Sequence, residues 1–293
     1  MISDLSALQL QIEASLQQHL PTKSQIAQPM LDAMSYAVMG GGKRLRPMLV
    51  CASCEAFGGD YETAMPAACA FEFIHAYSLI HDDLPAMDDD ALRHGKPSTH
   101  IAFGEANAIL AGDSLHSLAF QAISEAQGIS ATNKLTIISL LSKAAGWPGM
   151  SGGQCLDIAA EGKVLELPEL EMLHAAKTGA LIKSALEVGA LCAGADIQSA
   201  AYSAIGEFGA KIGLAFQVVD DILDVTETSD MLGKPAGSDE DLNKNTFPRL
   251  LGLDPSKQKA EDLLQEALAL LKQAGLHTSL LATLANRAVH RTF

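Results

Sequence analysis

Two acidic segments stand out against a largely apolar sequence, and the spacing of their carboxylates suits a shared cation. The first contributes Asp82, Asp83 and Asp88, and the second contributes Asp220, Asp221 and Asp224. Asp220 and Asp224 are four residues apart, so on a helix they share a face, while the neighbouring positions are Val, Ile and Leu. A carboxylate cannot lie on a buried helix without a cation or another partner. The pattern therefore predicts ligands for a bound cation.

The proline in the first segment indicates how its carboxylates come together. Pro85 disfavours helix at the preceding residue, so the helix should end just after Asp83 and the chain can turn back to present Asp88 beside Asp82. Five or six oxygen ligands on facing helices suit magnesium that retains waters and is completed by substrate phosphates. Such an ion would neutralise a departing diphosphate as Lewis acid and template.

Basic and polar residues elsewhere could complete a phosphate site. Lys43 and Arg46 are three apart behind three glycines, where a helix start favours phosphate oxygens, although a plain loop with a solvated basic end also fits that pattern. Lys177-Thr178-Gly179 interrupts an apolar helical run, and the interior glycine predicts a break that turns a backbone carbonyl toward a cation. His75, taken alone, is typical of a core histidine.

The elements that must position these residues are helices nearly throughout. Apolar residues recur at i, i+3 and i+4 from Ile2 to Leu20 and again in eight later runs. These runs cover residues 44–57, 62–84, 104–126, 133–147, 166–193, 198–226, 257–274 and 278–290. Aromatics are 5% of the chain, no alternation sustains a sheet, and no linker is evident. We expect one all-α domain over residues 1–293, a bundle of about ten helices around a central cavity.

Composition excludes some partners. The net charge of −15 leaves no basic stripe for nucleic acid. No run approaches the roughly 20 apolar residues of a membrane span, and Asp4 stands where a signal peptide is basic. The five cysteines, an odd number in apolar surroundings, are typical of reduced core thiols. These features predict a cytoplasmic protein without membrane insertion.

The two aspartate motifs, with the segment Gly42-Lys43-Arg44-Leu45-Arg46-Pro47 upstream, resemble the trans-isoprenyl diphosphate synthase family. Among its members the chain is most similar to the bacterial farnesyl diphosphate synthase type, over residues 36–248. The resemblance implies condensation of an allylic diphosphate (dimethylallyl or geranyl) with isopentenyl diphosphate to give farnesyl diphosphate and diphosphate. It also implies a homodimer and three magnesium ions on the six aspartates, which manganese can replace.

The resemblance also implies roles for individual residues. Three basic residues match those that bind the allylic diphosphate: Arg93, Lys177 and Lys234. Lys244 matches a lysine at the mouth of the site, and Thr178 and Gln217 match residues beside the carbon that becomes cationic. Lys43, Arg46 and His75 match the isopentenyl diphosphate site. Gly152-Gly153-Gln154 with Asp157 matches a further family segment, in which Gln154 supports the metal ligands.

The chain departs from the family at one position. Members of the family carry two adjacent arginines after the first motif, whereas this chain has Arg93-His94. We expect either weaker or pH-sensitive binding of isopentenyl diphosphate, or compensation by Arg287 or Arg291 near the end of the chain.

Product length should depend on the helix that leads into the first motif. Tyr77 lies about 7.5 Å below Asp82 along the helix axis, and small Ser78 lies one turn below it. We expect the growing tail to pass Ser78 and stop against Tyr77, as the resemblance also implies for a fifteen-carbon product. An ordinary core tyrosine is the alternative interpretation.

Four other functions fit parts of the pattern. The same chemistry could end at geranylgeranyl diphosphate. A class I terpene cyclase shares the first motif but carries Asn, Ser and Glu in the second, and it lacks the Lys43 and Arg46 site. A catalytically silent partner subunit would not need both intact motifs, and a helical scaffold that binds divalent ions would not need the basic residues.

Overall fold

Helices make up almost all of the chain that the structure describes. The computed structural model describes residues 5–226, 245–276 and 278–291. In order the helices are α1 (Leu5–His19), α2 (Gln28–Met39), α3 (Leu45–Ala56), α4 (Tyr61–Asp82), α5 (Thr99–Phe103), α6 (Glu105–Glu125), α7 (Ala131–Ala145), α8 (Met150–Ala160), α9 (Leu167–His174), α10 (Ala180–Cys192), α11 (Ala200–Thr226), α12 (Phe247–Leu251), α13 (Leu253–Gln273) and α14 (Ser279–Val289). A single π-helical turn, Ala175–Gly179, joins α9 to α10. Two short strands, β1 (Leu92–Arg93) and β2 (Lys96–Pro97), form an antiparallel hairpin.

Local sequence explains several helix starts. The Asp60 carboxylate accepts the backbone N–H of Thr63 and so caps α4. The Ser130 side chain caps α7 in the same way, through the N–H of Asn133. At the start of α9, Glu166 and Glu169 form a reciprocal capping box. These caps satisfy N–H groups that the first helical turn leaves without partners.

The core is continuous from the first described helix to the last. Leu8 and Ile12 of α1, Phe71 of α4 and Leu281 of α14 are all buried in one apolar cluster. The most extensive contacts between helices join α11 to α13, α4 to α6, and α10 to α3. Because α4 and α10 are buried on most faces, they form the centre of the bundle.

The all-α prediction is confirmed, and the helix count is slightly higher than predicted. Apart from the five-residue α5 and α12, twelve helices lie in the described part of the chain, against about ten predicted. Helices α2 and α8 were missed. In α8 the sequence Gly152-Gly153 concealed the helix, because glycine is a poor helix former.

Close packing explains the two glycines of α8. A Cβ on Gly153 would lie 2.3 Å from the backbone nitrogen of Lys177, and one on Gly152 would lie 1.9 Å from the carbonyl oxygen of Trp147. Only a hydrogen fits at either position. Tertiary contact therefore decides the helix here, and the same contact brings α8 against the π-helical turn.

The remaining sequence-based expectations about the scaffold have mixed outcomes. No helix in the described part of the chain is both long and apolar enough to cross a bilayer. All five cysteines are free thiols, and four of them are buried. Cys155 was wrongly expected in the core, because it lies exposed on α8 at the wall of a cavity.

Candidate active site

A cavity of about 970 Å³ opens between the ends of the central helices. Charged residues line it at and beyond the end of α4, among them Asp82, Asp88 and Arg93, and Lys177 and Asp220 line it as well. Tyr77 and Ser78, which precede Asp82 on α4, line it together with the apolar side chains of Leu79, Ile109, Met150 and Ile158. The cavity can therefore hold an anionic group at its mouth and an apolar chain below.

The first aspartate motif folds back as the sequence predicted. Helix α4 ends at Asp82, and the N–H of Asp88 donates to the carbonyl oxygen of Asp82 at 2.9 Å. Asp82 and Asp88 both face the cavity. Burial raises the pKa of Asp82 to about 6, and nearby Asp88 adds to the rise while Lys177 opposes it. A buried carboxylate next to a second carboxylate is costly to ionise, and a bound cation would reduce that cost. This arrangement therefore fits a cation site.

Asp83 does not line the cavity but binds Arg93, which does. It is 2% exposed and is not among the described residues that line the cavity. The Arg93 guanidinium donates to Asp83 through Nε at 3.0 Å and through Nη2, and Nη2 also donates to Asp90 at 3.1 Å. The hairpin β1–β2 carries Arg93 to this position. Asp83 therefore orients Arg93, which lines the cavity near Asp82.

The second motif has a similar division between exposed and buried carboxylates. Asp220 is exposed at the cavity, and its Oδ1 lies 2.7 Å from Nη2 of Arg291. Asp221 is 5% exposed and accepts the N–H of Phe247 at 2.9 Å. Asp224 is 4% exposed and is not among the described residues at the cavity wall. Burial raises the pKa of Asp221, and the contact with His174 opposes this rise.

The donor set fits magnesium that is shared with a phosphate ligand. Within the described ranges, no three carboxylate, imidazole or thiol groups already converge on one point. Instead, Asp82 and Asp88 of the first motif and Asp220 and Asp221 of the second line one cavity, where a bound ion could draw on both motifs. Magnesium needs near-octahedral oxygen coordination and is usually held by one or two carboxylates, waters and substrate phosphates.

The predicted break at Lys177-Thr178-Gly179 is the π-helical turn between α9 and α10. Its i→i+5 pattern disturbs the regular hydrogen-bond ladder, a feature that recurs at functional sites. Lys177 and Thr178 line the cavity, and Nζ of Lys177 lies 2.6 Å from Oδ2 of Asp157. Close contact with Gly213, whose Cβ would lie 2.8 Å from Cα of Gly179, packs the turn against α11.

Gln217 and the residues of α8 also line the cavity. Nε2 of Gln217 lies 3.3 Å from Nδ1 of His174, so the amide can donate to the ring. The ring of His174 stacks on Phe247 and its Nε2 lies 3.7 Å from Asp221. Gln154 is buried at the cavity wall, and its Oε1 has no hydrogen-bond partner in the described chain. A free buried oxygen in this place suits a ligand or a metal-bound water.

The residues expected at the isopentenyl diphosphate site lie beside the same mouth. Arg46 and His75 line the cavity, whereas Lys43 is exposed and precedes α3, which begins at Leu45. Burial lowers the pKa of His75 far below its usual range. Lys43 therefore lies on the loop before α3. The sequence had instead suggested a place at the start of the helix.

Arg44 is a structural arginine that the sequence did not single out. It is 4% exposed, with φ of +52°, and its guanidinium binds Glu72 and the carbonyl oxygen of Val38. The left-handed backbone and the buried ion pair fix the loop that carries Lys43. Charged pairs of this kind are strongly destabilising to break.

The surroundings of His94 disfavour its charged form. Burial lowers its pKa, and the cations nearby lower it further: Arg93, Arg44, Lys43 and Lys96. His94 has φ of +52° and is not among the described residues at the cavity wall. The consequence of this substitution for isopentenyl diphosphate binding therefore stays a prediction.

Arg291 brings a cation to the site from the end of the chain. Besides Asp220, it contacts the carbonyl oxygen of Phe216 at 3.0 Å and lies 3.7 Å over that ring. Its charge helps to lower the pKa of Lys43, after burial. Of the two arginines considered as compensation for His94, Arg291 is thus near the site. Two other predicted residues, Lys234 and Lys244, lie outside the described residues.

Comparisons with known proteins agree with this geometry. A model of the family described as polyprenyl synthetase matches residues 27–280. The farnesyl diphosphate synthase of Escherichia coli is 50% identical over 268 residues, which are 90% of this chain and 89% of that protein. The chloroplastic geranylgeranyl pyrophosphate synthase of Catharanthus roseus is 48% identical over 238 residues, covering 80% of this chain and 66% of that protein.

A solved structure extends the comparison to the whole fold. The geranyltransferase of Helicobacter pylori, complexed with magnesium and isoprenyl diphosphate, superposes with a TM-score of 0.86 at 34% identity. The match covers 97% of this chain and 95% of that chain. With its motifs, its helical fold and these matches, the chain belongs to the polyprenyl synthetase family.

Proposed function

We propose that this chain is a short-chain trans-prenyltransferase that joins dimethylallyl or geranyl diphosphate to isopentenyl diphosphate and yields farnesyl diphosphate. The observation that carries the proposal is one cavity whose lining combines carboxylates of both aspartate motifs, basic residues and apolar side chains. Identity of about half the residues to farnesyl diphosphate synthases over most of the chain supports it.

Magnesium would be held by Asp82 and Asp88 on one side and by Asp220 on the other. The buried partners Asp83, Asp221 and Asp224 support these positions, and Asp221 can turn an oxygen to the cavity that it lines. Three ions, which manganese can replace, are the number that the family resemblance implies. When bound, the metal neutralises the charge that develops on the leaving diphosphate.

The side chains of the protein bind and orient the two substrates. Arg93 and Lys177 face the mouth, where they would bind the allylic diphosphate, and Arg46 with Lys43 would bind isopentenyl diphosphate. Lys234 and Lys244 are proposed for the same anionic region.

The departing diphosphate leaves an allylic cation near the π-helical turn. The Thr178 hydroxyl and the Gln217 amide oxygen are dipoles that can stabilise it without moving. The double bond of isopentenyl diphosphate then attacks, and the released diphosphate accepts the proton that is lost. Apolar walls exclude the water that would quench the cation.

A single assay tests the proposal. Diphosphate should be released from an allylic diphosphate only when magnesium and isopentenyl diphosphate are both present. Release without isopentenyl diphosphate would indicate a terpene cyclase. No release under any condition would indicate a silent subunit or a scaffold.

Tyr77 and Ser78 provide the test of product length. Both line the cavity below Asp82. Tyr77→Ala should lengthen the product because the tail loses its floor, and Ser78→Phe should shorten it toward ten carbons because a ring fills the path. Products are sized by chromatography of the dephosphorylated alcohols. If the wild type makes geranylgeranyl diphosphate, the alternative supported by the plant relative holds.

We propose a homodimer as the working unit. Ile101 of α5 and Leu110 of α6 are apolar and more than half exposed on neighbouring helices, which is the kind of surface that a second copy covers. Light scattering should give about twice the chain mass of 30.8 kDa. A mass of one chain would contradict this proposal.

A further inference from the structure

The ring of Tyr77, which belongs to α4, lies at the bottom of the cavity. It contacts side chains of α4 itself, of α6 and of α8. It meets the ring of His81 edge-on at 5.7 Å and that of His116 at 5.1 Å, with interplanar angles of 80° and 85°. Burial raises the pKa of its phenol group, and the nearby Ser151 hydroxyl of α8 lowers it. The ring therefore spans the space between α4, α6 and α8 where a hydrocarbon tail would end.

Close packing of α4 on α6 decides which residue meets Tyr77. A Cβ on Gly112 would lie 2.2 Å from Nε2 of His81, so the glycine lets the imidazole touch the α6 backbone. Nε2 of His81 also lies 3.2 Å from the carbonyl oxygen of Ile109. The helices are antiparallel, so one turn along α6 from Gly112 is His116, and one turn back along α4 from His81 is Tyr77.

His116 stands behind the Tyr77 ring and is itself supported. It is partly buried and is not among the described residues at the cavity wall. Its ring meets Phe120 at 5.2 Å with an interplanar angle of 60°. Burial lowers the pKa of His116, which favours the neutral imidazole in this contact. Edge-to-face pairs of this kind are a favoured arrangement of aromatic side chains.

We infer that His116 is a positioning residue for product length: it holds the Tyr77 ring across the cavity and so stops chain growth at fifteen carbons. The inference rests on the proposed function. Without the imidazole, the Tyr77 ring can swing toward α6, and the floor opens although Tyr77 is still present. The ten-carbon tail of geranyl diphosphate is too short to reach that floor, so its use should not depend on His116.

The test compares His116→Ala with His116→Phe, which keeps a ring edge against Tyr77. The alanine variant should raise the share of twenty-carbon product by about tenfold, a change that loss of one ring-edge contact can produce. It should also accept farnesyl diphosphate as a starter while its KM for geranyl diphosphate stays unchanged. The phenylalanine variant should keep the wild-type product.

Controls separate this effect from general damage. Ser117→Ala, an exposed neighbour on α6, should leave product length unchanged. If His116→Ala does not fold, His116→Leu fills the volume without a ring edge and should show the same use of farnesyl diphosphate.

The outcomes separate the inference from the proposed function. If the wild type makes farnesyl diphosphate and both the alanine and leucine variants keep its product and starter range, the inference is wrong. If the wild type makes no prenyl diphosphate, the proposed function fails, and the inference fails with it.

Discussion

At the scale of single residues, the two adjacent aspartates of each motif differ in their burial and in their partners. Asp82 and Asp220 line the cavity with accessible side chains, whereas Asp83 and Asp221 are buried and bind protein groups, although Asp221 also borders the cavity. Asp83 orients Arg93, and Asp221 holds the N–H of Phe247 beside His174. A buried carboxylate with its own donors fixes the backbone next to the exposed one, which preorganises the site for an incoming ligand.

Replacing an exposed carboxylate should affect turnover far more than folding. Asp82→Asn or Asp220→Asn removes one ligand charge while nearly preserving shape. We expect a loss in turnover of at least about 10²-fold, the scale of losing one electrostatic stabiliser. Steady-state diphosphate release measures it, and Asp262→Asn on the exposed side of α13 is the control. Near-normal turnover in either variant would remove that residue from the mechanism.

Asp82 should also make the stability of the metal-free protein depend on pH. Its pKa of about 6 in the folded protein lies above the ordinary value of 3.8. The charged form therefore destabilises the folded state, not at all below about pH 4 and fully above about pH 6. Asp82→Asn, which resembles the protonated form, should be more stable than wild type at pH 7.5 by roughly 1–3 kcal/mol.

Urea unfolding in the presence of a chelator measures this difference at each pH. The stabilities of the two proteins should converge as the pH falls toward 4. An equal stability at pH 7.5, or a gap that widens on acidification, would show that Asp82 is not strained by burial. Asp262→Asn again serves as the exposed control.

At the scale of elements, the site depends on how α8 meets the π-helical turn. Gly153 touches the backbone of Lys177, and Asp157, one turn further along α8, binds the Lys177 ammonium. Gln154 lies between them at the cavity wall. One short helix thus sets both the position of Lys177 and the shape of the turn that carries Thr178.

Gly153→Ala should separate these two elements. The new Cβ would lie 2.3 Å from the Lys177 backbone nitrogen, so the backbone must shift, at a cost of about 1–3 kcal/mol for overpacking. We expect a lower melting temperature and a raised KM for the allylic diphosphate, because Lys177 moves from the mouth. Ala159→Ser, exposed on the same helix, is the control. Wild-type melting and kinetics would show that the contact can relax without consequence.

At the scale of the whole molecule, an anionic protein must bind anionic substrates. The net charge is −15, and several of the carboxylates that make up this charge line the cavity. Basic residues are present there, but without a cation the summed field opposes a diphosphate. Magnesium resolves this conflict because it is attracted to both partners.

Metal removal should therefore abolish the stabilisation that diphosphate provides. Magnesium with inorganic diphosphate at about a hundred times its dissociation constant should add about 2.7 kcal/mol and raise the melting temperature by several degrees. Diphosphate with a chelator should leave the melting temperature unchanged. An equal rise in both conditions would mean that the basic residues alone bind the ligand.

The sequence by itself determined the helical type of most segments, although not of α2 and α8, and it singled out most of the charged residues that line the cavity. Apolar periodicity predicts α4 and α11, and Pro85 predicts the turn that brings Asp88 back to Asp82. An interior glycine predicts the irregular turn at 177–179. These features are local, since they depend on backbone preferences and on residues within one turn of each other.

The tertiary structure alone decided which residues meet between elements. Nothing in the sequence separates Asp83 from Asp82, or connects Arg291 to Asp220 across 71 positions. The contact between Tyr77 and His116 depends on a glycine that fixes the register of α4 on α6. Spacing determines the neighbours within a helix, but the packing of whole surfaces determines the register between helices, and many residues far apart in sequence contribute to that packing.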